Sequence, residues 1–124
     1  MTVPILKQGS YLIASIQSAL SDTEVLELRD DLTERVGTLR ARGVIVDVAA
    51  MDVIDSFVGR SLQSIALTAK LRGAETVIVG IRPDVAVAMV QFKLNLEPLH
   101  TALDLEEGLA LLDRWTGNGD GDAG

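Results

Sequence analysis

Two carboxylates and one hydroxyl fall within the six residues Asp52-Val53-Ile54-Asp55-Ser56-Phe57, directly ahead of an apolar series, Val58, Leu62, Ile65 and Ala69, that keeps helical spacing. A serine at such a junction can accept from the free N–H groups of the first turn, so Ser56 is expected to cap the helix, and its replacement by alanine to cost about 1 kcal/mol. The same terminus carries roughly half a positive charge and several orphan donors. A phosphate added to the hydroxyl would therefore be tolerated locally while changing the outer surface by roughly −1.5 to −2 charges. The hydroxyl thus has two readings, a cap and a chemical switch, and the local pattern by itself favours the cap.

Other chemistry is weakly supported. Asp47, Asp52 and Asp55 could be drawn together as a magnesium cluster at the carboxyl ends of strands, where open α/β sheets place their sites. Their spacing is not specific for a metal, and two of them flank a helix start whose dipole they suit. His100 is the one histidine, there is no cysteine, and neither a G-x-S-x-G elbow nor a phosphate-binding glycine loop occurs. No enzyme activity, cofactor or metal is expected, and His100 reads as structural. Ser61, Ser64 and Thr68, farther along the same helix, read as ordinary packing or surface hydroxyls.

The elements that must position the stretch follow from periodicity. Ile5–Lys7 and Tyr11–Ile16 flank Gln8-Gly9-Ser10 and predict a hairpin, with Gly9 taking the turn dihedral. Ser21 and Glu24 form a capping box ahead of the stripe Val25, Leu28, Leu32, Val36 and Leu39, a helix ending before Gly43. Its other face, with Glu27, Arg29, Asp30, Asp31, Glu34, Arg40 and Arg42, is mixed in charge and reads as solvated. Val44–Val48 and Thr76–Ile81 lack polar alternation, as expected of parallel strands covered on both faces. The helix after Ser56 should run to Arg72 and stop at Gly73. Pro83 suits the first position of another helix, carrying Val85, Met89 and Phe92 and ended by Asn95 in the left-handed conformation. Leu99–Ala102 reads as a short edge strand, and Asp104 with Glu107 caps a last helix bearing Leu105, Leu109 and Leu112.

The order β-β-α-β-α-β-α-(β)-α predicts an α/β domain with a mostly parallel central sheet, an N-terminal hairpin strand and about four helices over residues 1–115. Residues 116–124, with four glycines and two aspartates, are expected to be a disordered tail. A hydrophobic share of 48% against 23% charged residues rules out disorder of the whole, and 3% aromatics leaves the core to Val, Leu, Ile and Ala. The net charge of −7 argues against nucleic acid or an anionic membrane as partner. The start, Met1-Thr2-Val3-Pro4, lacks the basic region of a signal peptide, and no window reaches the roughly 18 to 20 apolar residues of a span, so a soluble, cytoplasmic protein is expected.

Set after a strand ending Val46-Asp47-Val48 and before a long helix, Asp52 to Phe57 resembles the phosphorylation loop of STAS domains, the family of anti-sigma factor antagonists. The further matches are Lys70-Leu71-Arg72-Gly73-Ala74 before a Val/Ile strand, Gly80-Ile81-Arg82-Pro83 opening the next helix, and Thr101-Ala102-Leu103-Asp104-Leu105-Glu106-Glu107-Gly108-Leu109 near the end. The Asp-Ser pair alone is a weak signal. The ordered set, over roughly Ile5 to Trp115, is a specific one and is most similar to the stressosome antagonists of the family.

That resemblance implies that Ser56 is phosphorylated by a partner-switching serine/threonine kinase (RsbT-like) and that a phosphatase reverses it. Asp52, Ile54, Asp55, Ser56 and Phe57 then form the kinase-docking loop, and phosphorylation releases the kinase to a stress-response cascade such as one ending in a sigma factor. It further implies assembly with a sensor STAS paralogue (RsbR-like) into a homo- and hetero-oligomeric scaffold. The chain is expected to lack the additional N-terminal sensory domain of that partner, which points to the antagonist role over the sensor role. Two other readings stay open: a free antagonist that binds an anti-sigma kinase directly, and a small-ligand or nucleotide-binding α/β domain.

Overall fold

The computed structural model describes residues 3–117, so the expected tail lies almost wholly outside the described residues. The chain runs β1 (Ile5–Gln8), β2 (Tyr11–Ser15), α1 (Asp22–Thr38), β3 (Gly43–Asp47), α2 (Ser56–Leu71), β4 (Glu75–Val79), α3 (Pro83–Gln91), β5 (His100–Ala102) and α4 (Leu105–Thr116). The five strands form one sheet in the order β1-β2-β3-β4-β5, antiparallel between β1 and β2 and parallel thereafter. This is the expected α/β architecture with its N-terminal hairpin, and β3 is the central strand. Among the described residues no helix is long and apolar enough to cross a membrane.

Each strand sends alternate side chains to opposite faces, and the two faces are covered unequally. Leu12 and Ala14, Val44 and Val46, and Ile78 join residues of α1, α2 and α3 in the larger core. Tyr11, Ile13, Ile45, Val77 and Val79 form the smaller core with Leu112 and Leu109 of α4. Successive strands added in one direction by right-handed crossovers keep their connecting helices on one face, so α1 to α3 share a side and α4 has the other to itself. Small residues let α4 come close. A Cβ built on Gly108 would stand 2.8 Å from Val79 Cγ1, and one on Gly43 would stand 2.7 Å from Leu112 Cδ1.

The starts of α1, α3 and α4 follow the sequence reading. Ser21 accepts from the Glu24 N–H and the Glu24 carboxylate accepts from the Ser21 N–H, completing the capping box. That second bond holds the exposed Glu24 carboxyl below its ordinary range, so what it contributes stands at neutral pH and is lost as pH falls through the lowered value. Asp104 likewise accepts from Glu107, whereas the Glu107 carboxylate accepts from Leu103 rather than from the cap residue.

The helix ends differ from expectation in an instructive way. α1, α2 and α3 each close on a left-handed residue, and only one of the three is a glycine: Arg40 (φ 52), Gly73 (φ 94) and Lys93 (φ 57). In each case the following N–H returns to a carbonyl five residues back: Ala41 to Val36, Ala74 to Ala69, and Leu94 to Met89. Ala41 and Ala74 are buried, and Leu94 packs against the core. Burial of the apolar residue after the turn fixes the stopping point, so Lys93 rather than Asn95 ends α3. Phe92, expected on the core stripe, is 76% exposed.

Candidate functional site

Parallel neighbours β3 and β4 end side by side, which brings the loop after β3 against the start of α3. Val48, Met51 and Ile54 anchor that loop in the core, at a spacing of three residues. Asp52 and Val53, between the last two anchors, and Asp55 and Ser56, just after the third, are left exposed. The Val48 N–H donates to the Val79 carbonyl at 3.0 Å and the Ala49 N–H to Asp47 Oδ1 at 2.9 Å, so the loop leaves the sheet along a fixed path.

The cap of α2 is Asp55, not Ser56. The Asp55 backbone is extended (φ −84, ψ −178), and its Oδ1 accepts from the Val58 N–H at 2.9 Å. Ser56 is the first helical residue, exposed and free of the capping duty expected of it. Both residue types cap well, and burial of Ile54 decides between them by turning the chain into the helix one residue earlier. The expected cost of about 1 kcal/mol therefore moves to Asp55: Asp55→Ala should lower stability by about that much in urea titration, and Ser56→Ala should be nearly neutral. Equal midpoints for the two variants would contradict this assignment.

Ser56 stands on the rim of a cleft of about 270 Å³. One wall is Asp52, Val53, Ile54, Asp55 and Ser56; the other is Asp84, Val85, Ala88, Phe92 and Leu94. Apolar side chains form its interior and three carboxylates its rim. Arg82, at the start of α3, hydrogen-bonds the Asp52 carboxylate across the cleft, and its Nε lies 3.8 Å from Asp84 Oδ1. The three carboxylates of the lining are thus met by one guanidinium from beside the cleft.

Of the residues read from sequence as the docking loop, Asp52, Asp55 and Ser56 are exposed, Phe57 is half-buried, and Ile54 is 6% exposed beneath the loop. Ile54 therefore supports the loop from below, and Val53, 66% exposed, presents the apolar surface instead. The second wall was missed, because it lies about thirty residues farther along; adjacency of two parallel strand ends is the signal that could have found it. Asp47, Asp52 and Asp55 have separate partners, in Ala49, Arg82 and Val58. Among the described residues no group of three or more His, Cys, Asp or Glu could hold a metal. His100 lies outside the cleft, with Nε2 3.3 Å from Glu75 Oε1 and its ring centroid 4.1 Å from that of Trp115. Ser61 is buried, and Ser64 and Thr68 are half-buried.

Residues 2–108 match the STAS domain. The fold is similar to that of an RsbS from Moorella thermoacetica bearing a serine-to-glutamate substitution, with 33% identity, a TM-score of 0.79, and coverage of 93% of this chain and 97% of that one. It is also similar to a chain solved in a study of the molecular architecture of the stressosome, described there as a signal integration and transduction hub, with 32% identity, a TM-score of 0.73 and coverage of 91% and 98%. The RsbT co-antagonist protein RsbRD of Bacillus subtilis is 27% identical over 65% of this chain, which spans 29% of the length of that relative.

Proposed function

Because the chain belongs to the STAS domain family, we propose that it is a stressosome antagonist of the RsbS kind: a binding protein, not an enzyme, that holds a partner-switching serine kinase and is its substrate at Ser56. The observation that carries this reading is the exposed Ser56 hydroxyl, at the first position of α2 on the rim of an apolar cleft, in a chain 33% identical to RsbS over nearly the whole of both. Phosphoryl transfer needs an accessible hydroxyl more than it needs catalytic groups from the acceptor protein. As the bond from the γ-phosphorus to the ADP oxygen breaks, one forms to Ser56 Oγ, and the hydroxyl proton passes to a base on the kinase. The product phosphate sits at a helix start, where the backbone favours an anion. It also joins three rim carboxylates, and the added charge with its desolvation cost lowers affinity for the kinase. A phosphatase restores the hydroxyl.

Similarity to RsbRD and to the stressosome chain supports a second role, as a partner of RsbR-like sensor paralogues in a large assembly. One experiment bears on both roles. The purified chain is mixed with the cognate kinase, ATP and the sensor paralogue; one phosphate should be added, mapped to Ser56 by peptide mass spectrometry, and light scattering should report a large particle. Absence of phosphate on Ser56 would overturn the switch. A monomer unchanged on mixing would leave a free antagonist in place of a scaffold subunit.

A further inference from the structure

Arg82 pairs with Asp52, a lining residue of the Ser56 cleft, and its ion pair is built to be exchanged. The guanidinium is 44% exposed and its partner Asp52 is 83% exposed, the setting in which solvent screens an ion pair and little stability depends on it. Asp84, 3.8 Å away, gives it a second carboxylate to rest on. Its side chain makes no cap bond to α3, so the helix start does not depend on where the guanidinium points. Across the cleft, Ser56 lies four residues beyond Asp52 on the facing wall.

We infer that Arg82 is the phosphate-receiving residue of this domain: when Ser56 carries a phosphate, the Arg82 guanidinium leaves Asp52 and pairs with the phosphoryl oxygens. This rests on the reading of Ser56 as a phosphorylation site. A phosphate monoester brings roughly −1.5 to −2 charges and three acceptor oxygens, against one charge and two oxygens on Asp52, and the fork of an arginine matches it with two parallel bonds. The exchange joins the start of α2 to the start of α3 across the mouth of the cleft. The modification would then narrow entry to the apolar interior as well as charge its rim. Arg82 acts here as a positioning residue, since it touches the modified group only after transfer.

The test uses full-length chain carrying phosphoserine incorporated at position 56 during synthesis, so it needs no kinase and stands apart from whether the kinase modifies Ser56. Phosphorus NMR follows the second ionisation of the phosphate with pH in the parent, in Arg82→Ala and in Arg82→Lys. The carboxylates of Asp52, Asp55 and Asp84, which line the same cleft, raise the midpoint in all three, while the α2 dipole and the exposed Arg60 one turn along α2 lower it in all. A guanidinium in contact adds a further lowering. The midpoint of the parent should fall about one pH unit below that of Arg82→Ala, with Arg82→Lys between them. Coincident midpoints in the parent and Arg82→Ala would overturn the inference while leaving kinase modification of Ser56 untouched. Failure of the kinase to modify Ser56, with separated midpoints, would overturn the switch reading alone.

Discussion

Ser56→Asp is expected to fold at least as well as the parent and to bind the kinase about 100-fold more weakly, a loss of about 3 kcal/mol. The two effects have opposite signs because they arise in different places. In the free protein the new carboxylate occupies the first turn of α2, which carries no acid of its own, and an acid there gains about 0.3–1 kcal/mol from the helix dipole. The cap is undisturbed, since Asp55 supplies it. In the proposed kinase complex the same carboxylate would stand among Asp52, Asp55 and Asp84 on the docking surface, so repulsion and desolvation would both oppose docking. Ser56→Ala removes the acceptor oxygen without adding charge; it should melt as the parent does, bind the kinase undiminished and take up no phosphate. Calorimetric titration of the kinase into each variant, with melting curves alongside, separates folding from signalling. Undiminished affinity of Ser56→Asp, or full phosphorylation of Ser56→Ala, would end the case for Ser56 as the switch.

The largest effect on stability is expected on the opposite face of the sheet. Leu112 is fully buried, packed over Gly43 and joined to Tyr11, Ile13, Ile45, Val77 and Val79. It is the hydrophobic residue of α4 that reaches full burial, and among the described residues α4 is the only helix whose residues join that smaller core. Leu112→Ala should cost about 2–5 kcal/mol and lower the melting temperature by roughly 10 °C or more. The polar ties of α4 would not compensate. Tyr11 Oη donates to Asp113 Oδ1 at 2.6 Å and Arg42 donates to the Thr116 carbonyl, but neither covers apolar surface. Trp115, set against His100 of β5 with the rings tilted by 45°, offers a direct readout, because loosening of α4 parts the two rings and changes the indole emission. A comparable truncation on the larger core has α1, α2 and α3 to absorb it. A melting temperature within two or three degrees of the parent, with Trp115 emission unchanged, would show that α4 is held by something other than Leu112.

The amino-acid sequence by itself determined what depends on near neighbours along the chain. The capping box at Ser21, the side-chain cap at Asp104, the 3.6-residue stripes, the β-branched strands and the Gly9 hairpin are local patterns, and alternation of strand with helix then requires a parallel sheet. What depends on burial was left to the tertiary structure. Asp55 and Ser56 cap a helix about equally well, and the choice fell to Asp55 because Ile54, just before it, is drawn into the core. Arg40 and Lys93 adopt the backbone conformation a glycine would prefer, because the apolar residues after them are turned inward. Phe92 left the core stripe and became a cleft wall, because α3 buries Val85 and Met89 on a narrower face than its spacing suggested. The cleft itself joins residues about thirty positions apart. Periodicity reports which way a side chain faces on its own element, and only the ordering of strands in the sheet brings two such elements together.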